Sequence, residues 1–231
     1  MQTNSPWPII GFNNREIRTS YYKINENNSS LAVLFPGFSY STEAPLFFFL
    51  EEFLIRFGID ILAIEYRYNE WPAFQTALGD EQDKWFAADV SMMMGSILAN
   101  ALAYKKIIFI GKSLGTTALL QVLNTVQNPE RYAYIWITPG TSNSKIAESL
   151  EKDQHPSLII GGTADHFFLL PEFRALEKLN PCITVQAIEG AGHMLEQAND
   201  MARSIDNIKL FLAYIEGFLT RIVGLKAIAA D

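Results

Sequence analysis

Short apolar runs recur along the chain, and each is bounded by polar or turn-forming residues. They are Leu31–Phe35, Ile59–Ile64, Lys106–Ile110, Tyr132–Thr138, Ser157–Ile160 and Ile183–Ile188. Apolar residues stand next to one another in these runs instead of alternating with polar ones. That is the pattern of strands buried on both faces, as in a parallel sheet. Glu16–Ile24 reads as one more extended segment, closed by a polar turn at 25–30.

Helical spacing fills the gaps. Ala44–Phe57 is one predicted helix, with Ser41 or Thr42 as its cap and Pro45 in its first turn. Asp80–Tyr104 is a second, and Asp80, Glu81 and Asp83 at its start suit the positive end of a helix dipole. Leu114–Val126, Pro171–Leu179 and Asn199–Val223 complete the set. Strands alternating with helices predict an α/β fold, with a mostly parallel central sheet and helices on both faces.

Composition supports a folded chain and narrows its partners. Of 231 residues, 49% are apolar and 19% charged, which is globular and not disordered. No repeat, linker or block of like charges divides the chain, so residues 1–231 read as one domain. With 18 basic against 25 acidic residues the net charge is −7, and no basic cluster offers itself to phosphates, so no nucleic-acid partner is expected. The lone Cys182 rules out an internal disulfide and CxxC chemistry. No apolar stretch is long enough to span a bilayer, and the start of the chain has no secretory-signal pattern. A cytoplasmic location and no membrane span are the expectations.

The strongest local motif is Gly111-Lys112-Ser113-Leu114-Gly115. It joins a predicted strand to a predicted helix, the context of a G-x-S-x-G nucleophile elbow. Such a turn strains the serine and lifts its hydroxyl above the sheet. The glycines let strand and helix approach, and the helix start offers amides to a developing oxyanion. A phosphate-binding P-loop ending in the same Gly-Lys-Ser would need glycine at position 106, which is Lys106. Two further signals follow later strands. Asp165 ends Gly161-Gly162-Thr163-Ala164-Asp165, and His193 ends Gly190-Ala191-Gly192-His193. Asp165, His166 and His193 are also a conceivable ligand set, but neighbours in extended chain point apart, so no metal is expected. His155, before Pro156 at a strand entrance, reads as a surface residue.

Taken together, Ser113, Asp165 and His193 follow strands in the chain order of the α/β-hydrolase superfamily, which the sequence resembles from about Leu31 to the last helix. The resemblance implies the α/β-hydrolase fold, Ser113 as nucleophile, His193 as general base and Asp165 as the group that orients it. Glu65 is the next candidate acid. The family's oxyanion loop matches Phe35-Pro36-Gly37-Phe38-Ser39, with Pro36 where histidine is common. The Phe38 and Leu114 amides are the implied oxyanion donors, and Ser39 could add a hydroxyl. Only a short excursion at about 139–156 stands where relatives often carry a cap domain. The chain therefore resembles small, cap-poor carboxylesterases and dienelactone-hydrolase-like proteins.

The implied activity is serine-dependent cleavage of a carboxylic ester or thioester, with a small acyl substrate as partner and no cofactor. Acyl transfer or a lyase reaction with the same triad, and a non-catalytic binding protein on the same fold, are the alternatives. Nothing in the chain indicates an oligomeric state. Aromatic residues crowd the expected site edge: Phe38, Tyr40, Tyr66, Tyr68, Trp71, Phe74, Phe167 and Phe168. Most are expected in packing and some along the cleft, with 66–79 as an irregular loop that shields it.

Overall fold

The computed structural model describes residues 3–4, 7–24, 26–140 and 143–224. In chain order the elements are β1 (Thr3–Asn4), β2 (Ile9–Ile10), β3 (Glu16–Tyr22), β4 (Ser30–Phe35), α1 (Pro45–Arg56), β5 (Asp60–Glu65), α2 (Pro72–Thr76) and α3 (Gly79–Asn100). They continue with β6 (Lys106–Lys112), α4 (Leu114–Leu123), β7 (Tyr132–Ile137), α5 (Asn143–Leu150), β8 (Ser157–Gly162), α6 (Leu170–Leu179), β9 (Ile183–Ile188) and α7 (Met201–Val223). Every predicted strand and helix is present within a few residues of its expected ends.

The sheet runs β1-β3-β5-β4-β6-β7-β8-β9, and β2 pairs with β3. β5 to β9 lie parallel through β4, and β3 joins antiparallel to β5. All six residues of β4, of β7 and of β8 are buried, as the unbroken apolar runs require. The two faces divide the core. Leu31, Val33 and Phe35 point to the layer of α3, α4, α5 and α6, while Ala32 and Leu34 point to α1 and α7. Each fully buried Leu, Ile or Phe contributes about 1.5–3 kcal/mol.

The order of the strands reverses at β4, while β4, β5 and β6 stay parallel. β5 lies on one side of β4 and β6 on the other, so the loops leaving these two strands diverge over a crevice. Open α/β sheets place their sites at such a switch point, at the carboxyl ends of the strands. The loop after β4 carries Gly37 and Phe38, and the turn after β6 carries Ser113.

Three local expectations are corrected. Neither Ser41 nor Thr42 caps α1; the flanking residue is Ala44, without a side-chain cap. The Thr42 hydroxyl is committed to the Glu65 carboxylate, and the Leu46 amide instead donates to the Tyr40 phenol oxygen at 3.0 Å. The helix from Gly79 stops at Asn100, because Tyr104 turns inward to donate to Asp60 at 2.6 Å. His155 is buried, not on the surface. It packs its ring on Tyr134, and its Nδ1 lies 2.7 Å from Asp153 Oδ1.

The excursion at 139–156 holds α5, and 66–79 holds α2. That second segment is fastened by a partly buried ion pair. Arg15 meets Asp89 at 3.0 Å, the Tyr68 hydroxyl donates to Asp89 at 2.7 Å, and the Arg15 guanidinium lies 4.4 Å over the Trp71 ring. No helix among the described residues is long and apolar enough to cross a membrane.

Candidate active site

Ser113 sits between β6 and α4 at φ 51°, ψ −113°. A non-glycine residue at positive φ carries strain of order 1–3 kcal/mol and persists only where its surroundings hold it. Two backbone bonds hold it here: its amide donates to the Ile137 carbonyl at 3.0 Å, and its carbonyl accepts from the Thr116 amide at 2.9 Å. The glycines on either side give the required clearance. A Cβ on Gly111 would lie 2.5 Å from the Gly115 carbonyl oxygen, and one on Gly115 would run into the Phe35 carbonyl.

The turns after β8 and β9 bring the partners. His193 Nε2 lies 3.0 Å from Ser113 Oγ, and His193 Nδ1 lies 2.7 Å from Asp165 Oδ2. The other Asp165 oxygen accepts from the Phe167 amide at 3.0 Å. Burial pushes the Asp165 carboxyl up. The bonds from His193 and the Phe167 amide outweigh that, and the carboxyl titrates below its ordinary range. An ionised carboxylate can only accept, so the proton sits on Nδ1 and the Nε2 lone pair faces the serine hydroxyl. Here Gly162 provides the close approach: a Cβ there would strike the Ala191 carbonyl. Glu65 is elsewhere, held by Thr42 and by Arg67 at 3.3 Å.

The loop after β4 closes the site. A Cβ on Gly37 would stand 3.5 Å from Ser113 Cβ, so this loop passes beside the serine. The Tyr66 hydroxyl donates to the Pro36 carbonyl from a fully buried position and fixes the first peptide of the loop. Phe38 is exposed and rests its ring 6.3 Å from that of Phe74. Leu114 opens α4, where first-turn amides lack a partner within the helix.

Beside the serine is a cleft of about 160 Å³ lined by Ser113, Leu114, Thr117, Gly140 and Phe167. Thr117 also borders a larger cavity of about 450 Å³ that reaches Asp83, Gln121 and Lys145. A more polar cleft of about 280 Å³ follows the loop after β4, with Ser39, Glu65, Arg67 and Glu70 in its walls. Of the aromatic residues at this edge, Tyr66, Tyr68, Phe74 and Phe168 are buried in packing, while Phe38 and Phe167 reach the clefts. His166 is exposed, and its ring lies tilted against that of Phe167. Among the described residues no group of three or more His, Cys, Asp or Glu side chains is arranged to hold a metal ion.

One residue at the site escaped the sequence reading. Lys112, the free position of the Gly111–Gly115 motif, is 1% exposed and lies beneath Ser113 and His193. Its Nζ donates to Thr138 Oγ1 and to the His193 carbonyl, both at 3.1 Å. Burial lowers the ammonium to about 8, although Asp165 and Glu196 pull the other way. The available signal was a lysine directly after an apolar run that ends inside a sheet.

Solved structures similar to this chain share the whole architecture. An esterase from Pyrococcus furiosus superposes with a TM-score of 0.67 at 16% identity, over 94% of this chain and 89% of that one. Est1E from Butyrivibrio proteoclasticus does so with a TM-score of 0.70 at 14% identity, over 94% and 98%. A protein of unknown function from Agrobacterium tumefaciens, described as an α/β hydrolase, gives 0.68 at 17% identity, over 96% and 99%. The chain has the α/β-hydrolase fold. The hydrolase resemblance noted in its motifs therefore extends over the full sheet and both helix layers. No protein-family model and no curated protein matches the sequence.

Proposed function

We propose that this protein is a serine hydrolase that cleaves a carboxylic ester or thioester through an acyl-enzyme on Ser113. The observation that carries the reading is one imidazole bridging two partners: His193 stands 3.0 Å from Ser113 Oγ and 2.7 Å from Asp165. That is within reach of a general base and of the group that orients it. Similar structures include esterases, one of them with ferulic acid bound, which favours ester chemistry.

Each group has a step. Ser113 Oγ attacks the acyl carbon while His193 Nε2 takes the hydroxyl proton. Asp165 keeps Nδ1–H in place and stabilises the imidazolium. The tetrahedral oxyanion lies against the Phe38 and Leu114 amides, with the positive end of α4 behind it. Collapse breaks the bond to the leaving alkoxide or thiolate, which takes the proton from Nε2. Water then attacks the acyl group with His193 again as base, releasing the acid and free Ser113. The acyl portion lies in the cleft bounded by Thr117, Gly140 and Phe167.

The test is labelling with a fluorophosphonate, followed by turnover of a panel of esters and thioesters. We expect one label, on Ser113, absent from Ser113→Ala, and turnover that disappears with it. An unlabelled wild-type protein that turns over none of the panel would remove the reading.

A further inference from the structure

We propose that Lys112 is a positioning residue that clamps the loops of the site to the nucleophile's own strand. The inference rests on the hydrolase reading above. An ammonium has three N–H donors and no acceptor. Here its surroundings give it three places to point. Nζ donates to Thr138 Oγ1 at 3.1 Å and to the His193 carbonyl at 3.1 Å, and it stands 4.8 Å from the Tyr40 ring centroid. Those partners belong to the loops after β7, β9 and β4. Lys112 itself is the last residue of β6, directly before Ser113.

Each contact reaches a different part of the machinery. Thr138 leads to Gly140, which borders the cleft, and a Cβ on Gly140 would stand 3.8 Å from Ser113 Oγ. Thr138 is also a β-branched residue at φ 39°, a strained conformation that needs outside support. His193 carries the imidazole on a loop with glycines at 190 and 192, so a bond to its own carbonyl is one of the restraints on ring position. Tyr40 follows Phe38 and bridges back to Gly37, so its ring ties the loop after β4 to the same ammonium.

Stability alone does not explain a lysine here. Burying an ammonium carries a desolvation penalty, and among the described residues no carboxylate pairs with it to offset that penalty, only two neutral oxygens and an aromatic face. A cation kept under a triad, with each donor directed at a different loop, acts on geometry. Small misplacement of reacting groups, about 1 Å, costs on the order of 100-fold in rate.

The experiment compares wild type with Lys112→Met and Thr138→Val. Met keeps the length of the side chain and removes the donors and the charge. Val keeps the shape of Thr138 and removes one acceptor. Three quantities are read: the rate of fluorophosphonate labelling at Ser113, kcat and KM on the best ester, and the low-field NMR resonance of the His193 Nδ1 proton. For Lys112→Met we expect labelling and kcat to fall together by about 10- to 100-fold, with KM within about threefold. We also expect the Nδ1 resonance to broaden and Tm not to fall. Thr138→Val should show the same pattern with a smaller loss, about two- to fivefold in kcat. A folded Lys112→Met enzyme that labels at the wild-type rate with a sharp Nδ1 resonance overturns the proposal. So does a loss that appears in KM and Tm instead of kcat. If Lys112→Met does not fold, Thr138→Val decides the question alone. If wild type is neither labelled nor active on any ester or thioester, the hydrolase reading fails, and the resonance still reports whether Lys112 holds the histidine.

Discussion

The Phe35 carbonyl occupies the place that a side chain on Gly115 would need. Strand β4 and helix α4 meet there with backbone against backbone, and that contact seats the Ser113 turn over the sheet. Gly115→Ala should therefore destabilise the protein by about 1–3 kcal/mol, as overpacking does. Gly95 is the control. It lies exposed within α3 with nothing within 4 Å of an added Cβ, so Gly95→Ala should stabilise by about 0.5–1 kcal/mol. Urea midpoints of the two variants should move in opposite directions. A neutral Gly115→Ala would mean that the strand–helix contact is looser than described.

Ser113 separates strain from chemistry. Ser113→Ala removes the hydroxyl and keeps the constrained backbone, and turnover should fall by roughly three to six orders of magnitude. Ser113→Gly also relieves the positive φ. It should be as inactive as Ser113→Ala and more stable by about 1 kcal/mol or more. Denaturant titration of the pair reads the difference. Equal stability would show that the serine conformation carries no strain.

The buried strands could be read from sequence because strands covered on both faces leave unbroken apolar runs, as at Leu31–Phe35 and Tyr132–Ile137. Ile183–Ile188 is instead the edge strand, only partly buried, with Thr184 and Gln186 at half-buried positions. The meeting of Ser113, Asp165 and His193 could be read because each follows a predicted strand. What escaped lacks a local signal. β1 and β2 are two residues each, and their existence depends on β3 lying beside them. α5 shows only Ile146 and Leu150 as buried apolar positions, too few to reveal a period. Lys112 occupies a free position of its motif, and only the loops after β4, β7 and β9, distant in sequence, give its charge a place. His155 looked exposed because the rings that cover it, Tyr132 and Tyr134, come from another strand.

Asp165→Asn tests the assignment of the acid. The amide keeps size and burial but presents an N–H donor as well as an acceptor, which favours the wrong histidine tautomer. By analogy with other triads kcat should fall by about 10⁴. The fold should persist at neutral pH. Glu65→Gln should leave kcat within a fewfold, because Glu65 bonds to Thr42 and Arg67 and not to His193. A benign Asp165→Asn with a crippled Glu65→Gln would move the acid to Glu65.

Glu51 on α1 should set a pH dependence of stability away from the triad. Its Oε1 is buried with no bonding partner, and Glu65, Glu52 and Glu43 add like charge. Burial first, then those neighbours, raise its carboxyl to about 7. A carboxyl raised in the folded state binds its proton more tightly there than when unfolded. Its favourable contribution is complete below the unfolded value, about 4.3, and is lost as pH rises through about 7. Glu51→Gln keeps the shape and has no charge to bury. It should leave Tm nearly unchanged at pH 4 and raise it at pH 8, by about 2–4 °C for each kcal/mol recovered. Asp165 works in the opposite direction: its lowered carboxyl contributes stability above the unfolded value and loses it on acidification. Melting curves of wild type and Glu51→Gln from pH 4 to pH 8 should therefore diverge as pH rises. Parallel curves would mean that the Glu51 carboxylate reaches solvent and carries no penalty.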